Sequence, residues 1–545
     1  MKSVRLFALA ILALGLAAQR PAIAQSADQG LTYLLNEQYG KARTTFTALA
    51  KSSPTAENLF RLGNFYMIIG QPDSARTYFQ QGLAADEKSA LIHVGLGELE
   101  LAGNNAAGAA EHFEHARKFS RNRNAEVFYQ IGTAYLRHKP VNAKAAIEAL
   151  EKAVDLDDQN PRYYVALGDA HLANNDASKA SLNYEQAYYF DENYAPAYKA
   201  IGDLYLRTKN YNEALRRYQE AIAKDANYAP VYRELAELYF LGGQYKNAAE
   251  NYAKYAQLGE LTEENYFTYA GYLNLNKQYQ ESLAQLQKVS PDYPSPILHR
   301  LYAYNYFETK QYQEGLQQIQ QFFQEAKPED ILAQDYEYAG RLSIAAGDTL
   351  QGLEHLRKAA DSDSTKLNLY KEIAETYYEG REYAKAAETY AALEQKGGDL
   401  SATDYFRQGM AYYFVEEFGK ADSALANVNE RASTHLTGWV WRARTNAKID
   451  STSSLGLARP FYEKVIELAM ADPDANKREL TEANLYLGYH YYLKADQENS
   501  EKYLNQVLAL DPEHATATAL LQAIEAGQIG QISNTSEDST AAQSQ

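Results

Sequence analysis

The chain has 545 residues, of which 46% are hydrophobic, a formal charge of −18 and no cysteine. Such an acidic surface repels phosphate backbones, so nucleic acid is not an expected partner. The lack of cysteine excludes a disulfide framework and excludes a lipid anchor on a cysteine at the cleavage site of an exported protein.

The first 24 residues have the pattern of a secretory signal peptide. Lys2 and Arg5 form a basic start, an apolar run covers residues 6–18, and small residues at 22–24 precede a cleavage site. A single membrane anchor is the competing interpretation, but the apolar run is short for a spanning helix. The sequence therefore predicts a soluble periplasmic protein that is not a lipoprotein and has no membrane span after cleavage.

Beyond this segment the chain repeats itself about every 34 residues. The tetrapeptide Asn-Tyr-Ala-Pro begins at Asn193 and again at Asn227, which is 34 residues later. Between these copies, Gly202 and Ala214 are small residues that allow two helices to approach, and Tyr218 fills the space beside them. This period, with small and aromatic residues interleaved, predicts a stack of two-helix units that cover one another's apolar faces.

On these residues the chain resembles the tetratricopeptide repeat (TPR) family over almost all of its length after residue 24. The resemblance implies an all-α, right-handed superhelical solenoid of about fourteen helical hairpins with a C-terminal capping helix. One small residue in the first helix marks each unit, in chain order: Gly30, Gly63, Gly97, Gly132, Gly168, Gly202, Ala236, Ala270, Ala303, Gly340, Ala374, Gly409, Ala443 and Gly488.

A proline-rich segment at 290–296 divides the array, because no helix runs through closely spaced prolines. We expect an N-terminal array over 25–290 and a C-terminal array, with the capping helix, over 291–526. The serine-rich segment 450–456 predicts an exposed loop. Residues 527–545 contain few large apolar residues and are predicted to be disordered.

No pattern in the sequence indicates catalysis, since it has no glycine-rich phosphate loop and no convincing setting for a nucleophile. His112 and His115 lie three residues apart, which could place two metal ligands on one helical face. No third ligand is in view, so we interpret the pair as part of a solvated helix surface. We therefore expect a protein that is not an enzyme, with no cofactor and no metal site.

The resemblance also implies that the first helix of each unit lines a concave groove that holds segments of partner proteins. In the N-terminal array this lining is an acid-leaning row: Asn64, Glu98, Thr133, Asp169, Asp203 and Glu237. In the C-terminal array it is aromatic and mixed: Tyr338, Lys371, Phe406, Arg407, Tyr413, Trp441, Tyr486, Tyr489 and Tyr492.

Partner binding is predicted for the whole C-terminal set and for Asp169, Asp203 and Glu237. Aromatic and arginine side chains often dominate the binding energy of interfaces, which makes Trp441 the candidate anchor. The alternative is that Trp441 and the tyrosines only pack against neighbouring helices.

Two functions stay open at this stage. The first is a non-catalytic scaffold or adaptor in the bacterial cell envelope that binds other proteins, among them secretion or assembly components. The second is glycan binding in polysaccharide export or assembly, because a groove lined with tyrosine and tryptophan can stack sugar rings. Carbohydrate arrays with Trp441→Ala as a control would separate them.

Overall fold

The computed structural model describes residues 26–530, and all regular secondary structure in this range is helical. The predicted signal peptide and residues 531–545 of the predicted disordered tail lie outside the described residues.

The helices of the described range form fourteen consecutive hairpins and one last helix, which confirms the predicted all-α repeat architecture. The first eight hairpins are α1 Ala27–Leu35, α2 Tyr39–Ser52, α3 Ala56–Ile68, α4 Pro72–Ala85, α5 Ala90–Ala102, α6 Ala106–Phe119, α7 Ala125–Arg137, α8 Ala143–Leu156, α9 Pro161–Ala173, α10 Ala177–Phe190, α11 Ala195–Arg207, α12 Tyr211–Lys224, α13 Ala229–Leu241, α14 Tyr245–Leu258, α15 Glu263–Leu275 and α16 Tyr279–Leu286.

The other helices continue the same alternation, with two short 3-10 turns at Pro328–Asp330 and Ser364–Lys366. They are α17 Ile297–Glu308, α18 Tyr312–Glu325, α19 Ala333–Ala345, α20 Thr349–Ser362, α21 Asn368–Glu379, α22 Tyr383–Gln395, α23 Ala402–Phe414, α24 Phe418–Arg431, α25 Leu436–Ile449, α26 Arg459–Ala469, α27 Lys477–Leu493, α28 Gln497–Leu510 and the capping helix α29 Ala515–Glu525.

Small residues set the distance between the two helices of a hairpin. A Cβ atom on Gly202 would lie 2.4 Å from Cε1 of Tyr218, so only glycine leaves room for the ring there. The Tyr218 side chain is completely buried, and its hydroxyl donates to Asp203 at 2.9 Å. Tyr184 repeats this arrangement one hairpin earlier, with its hydroxyl 2.7 Å from Asp169. Each such tyrosine fills the core and also holds an acidic residue of the first helix.

Most turns inside the hairpins place one residue in the left-handed region of backbone space. Gly70 and Gly243 supply it with φ of +71° and +68°, and glycine adopts this conformation without a steric cost. Asn104 takes the same role with φ of 58°, which asparagine tolerates better than most residues. At other turns a residue such as Lys209 or Lys277 takes this conformation, so glycine and asparagine suit the position but do not always fill it.

The described chain separates into two compact units, which we call unit 1 and unit 2. Unit 1 ends at Pro294 and unit 2 begins at Ser295. No helix crosses the proline-rich segment, since α16 ends at Leu286 and α17 begins at Ile297.

Two segments differ from the sequence predictions. The serine-rich loop is not wholly exposed, because Asp450 is 3% exposed and accepts the N–H of Gly456 at 2.7 Å. The tail was predicted to be disordered from residue 527, but its first residues are held by the last hairpin. The Tyr492 hydroxyl donates to the Gln528 carbonyl at 2.8 Å, and Ile529 packs beside it. The composition predicted irregular structure at both places, but it did not predict the hydrogen bonds of Asp450 and Tyr492 that hold these segments.

Candidate interaction surfaces

The first helices of successive hairpins contact one another directly, as α3 does with α5, α5 with α7 and α7 with α9. In a curved stack the elements on the inner side lie closest together, so these helices form the concave surface of unit 1. This agrees with the lining that the resemblance implied.

The first hairpin of unit 1 packs against the seventh, although 193 residues separate the contacting positions. Asn36 accepts the backbone N–H of Ala229 at 3.2 Å. The Glu37 carboxylate lies 2.7 Å from the Arg233 guanidinium and accepts the Tyr255 hydroxyl. Unit 1 therefore makes one closed turn, and its concave surface encloses a channel.

Charged side chains from successive first helices pair along this channel. Arg162 stacks over Tyr129 at 4.8 Å and lies 3.7 Å from Glu126. Lys199 bridges Asp203 at 2.7 Å and Glu234 at 3.3 Å. The pair of Arg162 and Glu126 stands apart, whereas the second group is continuous. We call this connected set the charge ladder, and it consists of Asp203, Lys199, Glu234, Arg233 and Glu37.

The cations of the charge ladder are held in their charged form. Burial alone would lower the pKa of Lys199, but the carboxylates of Asp203 and Glu234 outweigh it and raise that pKa above its usual range. The same balance raises the pKa of Arg233 beside Glu37 and Glu234. The ladder is therefore a fixed set of paired charges rather than an acidic surface.

The first part of the predicted acid-leaning row is not available to a partner. Asn64 is 8% exposed and Glu98 is 2% exposed. Glu98 forms an ion pair with Arg137 and lies 3.2 Å from His138. The prediction that these two side chains line an open groove is wrong, because side chains of α7 and the residue after it contact both. Gln130 lies 3.4 Å from Asn64, and Arg137 and His138 contact Glu98.

Asp169 and Glu237 differ from Glu98 and Asp203, the other two carboxylates of the row, because neither forms an ion pair with any described residue. Both reach water in the channel, yet the protein around them is dense enough to affect their protonation. Burial raises the pKa of Asp169 to about 6, against the lowering effect of the Tyr184 hydroxyl. Burial raises the pKa of Glu237 too, with further contributions from Glu234 and Asp203.

A cleft of about 420 Å³ adjoins Glu237 between α11 and α13. It combines charged and apolar side chains, and its lining is Asp203, Leu206, Arg207, Lys209, Tyr211, Glu234, Glu237 and Leu241. Tyr211 and Leu241 are 44% and 53% exposed, so the cleft offers apolar contact beside its carboxylates.

In unit 2 the predicted aromatic residues pack largely against one another. Tyr338 stacks on Tyr304 with ring centroids 3.9 Å apart. Trp441 meets Tyr413 edge-on at 5.3 Å, and the Arg444 guanidinium covers its ring at 4.8 Å. These contacts agree with the packing alternative for Trp441, which is only partly buried.

The other predicted residues of unit 2 include ion-paired side chains, packed aromatic rings, one exposed tyrosine and one buried tyrosine. Lys371 and Arg407 form ion pairs with Asp404 and Glu375, Phe406 packs against the core, and Tyr486 lies 4.7 Å from Tyr462. Tyr489 is 37% exposed. Tyr492 is 4% exposed, so its predicted place in the groove is wrong and it belongs to the core of the last hairpin.

His112 and His115 are not part of a fully solvated helix surface. His93 reaches them from α5, and one ring nitrogen from each histidine lies within 4.8 Å of the others. Sequence reasoning missed His93 because it stands 19 residues before His112, on the other helix of the hairpin.

The fold and these surfaces define a helical-repeat solenoid. The tetratricopeptide repeat profile matches residues 66–124 and 199–261. A solved structure of the C-terminal part of a TPR repeat-containing protein from Cytophaga hutchinsonii is 30% identical to this chain. The match covers 47% of this chain and 99% of that C-terminal part, with a TM-score of 0.32. The chain belongs to the tetratricopeptide repeat family.

Two other solved structures are more distant. PilF from Pseudomonas aeruginosa is 20% identical, with 38% of this chain and 94% of that one covered and a TM-score of 0.29. YrrB, described as a TPR protein with an unusual peptide-binding site, is 21% identical, with 33% and 92% covered and a TM-score of 0.23. No curated protein matches the chain.

The family generally provides scaffolds for protein–protein interaction rather than enzymes, and the repeats support that role here. Between residues 26 and 530, no helix combines the length and apolarity that crossing a bilayer requires.

Proposed function

We propose that the protein is a non-catalytic scaffold of the bacterial cell envelope that binds segments of partner proteins on its concave surfaces. The observation that carries this proposal is the pair of channel carboxylates, Asp169 and Glu237, which are exposed and form no ion pair with any described residue. A lysine or arginine of a partner segment would supply the cation of such a pair. Because the surrounding protein lowers the effective dielectric, such a pair is stronger than one on an open surface.

The expected partner segment is extended and carries basic residues next to apolar ones. The cleft beside Glu237 places Tyr211 and Leu241 within the same lining, and both have exposed apolar surface. The formal charge of −18 would attract a basic segment over a longer range.

Unit 2 supplies a second proposed contact surface. It consists of Tyr338, Lys371, Phe406, Arg407, Tyr413, Trp441, Tyr486 and Tyr489. Tyr489 is the member whose large side chain is exposed, so we expect it to contribute most to any contact.

Selection from a randomised peptide library on the immobilised chain tests the proposal. We expect enrichment of peptides that contain lysine or arginine, and at least tenfold weaker binding of those peptides to an Asp169→Asn, Glu237→Gln variant. The matched control is Glu185→Gln, Glu250→Gln, which removes the same charge from exposed positions on α10 and α14 and should change binding less than twofold. Equal loss in both variants, or enrichment of peptides without basic residues, would contradict the channel as the binding site.

Glycan binding stays the alternative, and the exposed ring of Tyr489 is the observation that favours it. A carbohydrate array would be probed with the wild type, Trp441→Ala and Tyr489→Ala. A glycan signal that both variants lose would favour this alternative, whereas a silent array together with a basic peptide from the library would favour protein binding.

The envelope location rests on the signal pattern of residues 1–24. Cell fractionation and mass spectrometry of the N-terminus test it. We expect a periplasmic protein that begins at Gln25, and a membrane-bound chain that retains Met1 would contradict the proposed location.

A further inference from the structure

Three histidines of the third hairpin of unit 1 converge on one point. His93 comes from α5, and His112 and His115 come from adjacent turns of α6, where a spacing of three residues places them on one face. His93 is 7% exposed, and its Nδ1 lies 3.2 Å from Nδ1 of His112. One nitrogen from each of the three rings lies within 4.8 Å of the other two.

Hydrogen bonding determines which nitrogen of His93 is free. Its Nε2 lies 3.2 Å from the backbone carbonyl oxygen of Glu87. A carbonyl oxygen can only accept, so Nε2 carries the hydrogen and the Nδ1 lone pair of the neutral ring points towards His112. Metal-binding histidines typically donate their second ring N–H to a carbonyl or carboxylate in this way, which fixes the tautomer and the ring orientation.

The separation of the two Nδ1 atoms suits a tetrahedral metal ion. Zinc lies about 2.0–2.1 Å from imidazole nitrogen in tetrahedral sites, which places two such ligands about 3.3 Å apart. The observed separation of 3.2 Å is close to this value. His115 is only partly buried, so a rotation of its side chain can bring it to the third position.

Two carboxylates lie close enough to His112 to act on it through their charge. They belong to Glu100 and Glu111, and their negative charge would stabilise a cation at the site.

We infer that His93, His112 and His115 form a binding site for a divalent transition-metal ion, for which zinc is the best match to three imidazoles with a fourth position left to water. The ion would join α5 to α6. This inference is independent of the partner-binding proposal, because the cluster shares no residue with the channel carboxylates.

Isothermal titration of the chelator-treated, untagged chain with zinc chloride tests the site. We expect one equivalent of zinc to bind, a raised melting temperature on binding, and at least a hundredfold loss of affinity in His112→Gln and in His115→Gln. Both side chains are only partly buried, so both variants should fold, which circular dichroism would verify. His435→Gln removes an exposed imidazole from unit 2 and is the matched control that should keep full affinity.

Cobalt provides a second readout of the same site. Cobalt(II) in a tetrahedral site absorbs strongly in the visible range, and we expect this band in the wild type and in His435→Gln but not in His115→Gln. The inference is overturned if no zinc binds at one equivalent, or if His112→Gln and His115→Gln bind zinc as tightly as the wild type. In that case the histidines form only a hydrogen-bonded pair packed against Phe119, whose ring lies 5.2 Å from that of His93.

Discussion

Unit 1 and unit 2 are built from the same hairpin but differ in regularity. In unit 1 the marker residues Gly168, Gly202, Ala236 and Ala270 follow one another at intervals of 34 residues. In unit 2 the intervals vary, and Ala443 and Gly488 are 45 residues apart. The marker residues of the seven hairpins that form the turn lie 33 to 36 residues apart. Such similar intervals repeat a similar rotation at each hairpin, which allows the seventh hairpin of unit 1 to meet the first.

The two units also use their ion pairs differently. In unit 1 the charge ladder joins the first helices α11 and α13 and ends on Glu37 of the first hairpin. In unit 2 the ion pairs between hairpins join only neighbours, as Arg300 joins Asp335 at 2.7 Å and Arg444 joins Glu482 at 2.6 Å. The connected set of Lys366, Glu337, Arg341 and Glu372 also stays within two neighbouring hairpins. Closure of the turn is therefore a property of unit 1 that depends on a few contacts far apart in sequence.

Loss of the closing contact should have the largest effect. Glu37→Ala leaves the partly buried Arg233 without its carboxylate, and we expect the free energy of unfolding of unit 1 to fall by about 3 kcal/mol, at the lower end for buried pairs. Urea unfolding followed by tyrosine fluorescence measures this change. Glu213→Ala breaks an exposed pair with Arg216 within α12 and should cause no measurable change. Equal effects of the two variants would show that closure adds no stability.

Adding a methyl group at the helix contact should have the next largest effect. In unit 1, Gly202→Ala forces the rigid Tyr218 ring aside, and we expect a loss of about 2 kcal/mol after the gain in helix propensity is subtracted. In unit 2, Gly409→Ala meets the flexible Leu425 side chain at 2.8 Å and should cost less. Gly271→Ala meets no heavy atom within 4 Å and should stabilise the fold by up to about 1 kcal/mol. A larger loss in Gly409→Ala than in Gly202→Ala would contradict this account.

Removal of one tyrosine hydroxyl should change stability differently at equivalent positions of the two units. Tyr218→Phe loses the hydrogen bond to Asp203, and we expect a loss of about 1 kcal/mol. The buried hydroxyl of Tyr390 has Arg407 nearby but makes no hydrogen bond of good geometry with a described residue. Tyr390→Phe should therefore leave the unfolding midpoint unchanged or raise it. A clear loss in Tyr390→Phe would show that its hydroxyl has a partner in solution.

The smallest expected effect is a pH dependence at Asp169. The pKa of this carboxyl rises from 3.8 to about 6 on folding, so the folded state holds the proton more tightly than the unfolded state. Stability therefore falls as the pH rises from about 4 to about 6, and the penalty is complete above that range.

Asp169→Asn removes this penalty and keeps an acceptor for the Tyr184 hydroxyl. We expect the variant to match the wild type at pH 4 and to exceed it above pH 6, by less than about 1 kcal/mol because the carboxylate reaches water. Melting temperatures across this pH range provide the measurement. A variant that is less stable than the wild type at pH 7 would contradict the raised pKa.

The sequence predicted what depends on neighbours within a hairpin. The pairing of Gly202 with Tyr218 follows from helical spacing, so the number of hairpins and the capping helix could be predicted. The pairing of Lys199 with Asp203, four residues apart on one helix, was also within reach of the sequence. This pairing neutralises Asp203 within the acid-leaning row. It could have been predicted by considering Lys199, which lies one helical turn before Asp203.

Contacts between hairpins could not be predicted from this one sequence. The meeting of Glu37 with Arg233 depends on the rotation that six successive hairpins accumulate, and no local pattern reports that sum. The approach of His93 to His112 depends on the register between α5 and α6. An alignment of α5 with α6 at their small contact residues, Gly97 and Ala109, could have predicted that register.

Closure of unit 1 is the claim on which the enclosed channel depends, and a distance between its first and seventh hairpins tests it directly. Because the chain has no cysteine, spin labels can be placed at Thr44→Cys and Lys254→Cys, two exposed positions on α2 and α14. Double electron–electron resonance should give one narrow distance distribution in the wild-type background and with Glu213→Ala, and a broader and longer one with Glu37→Ala. A broad distribution in the wild-type background that Glu37→Ala leaves unchanged would show that the turn is open in solution and would contradict the account.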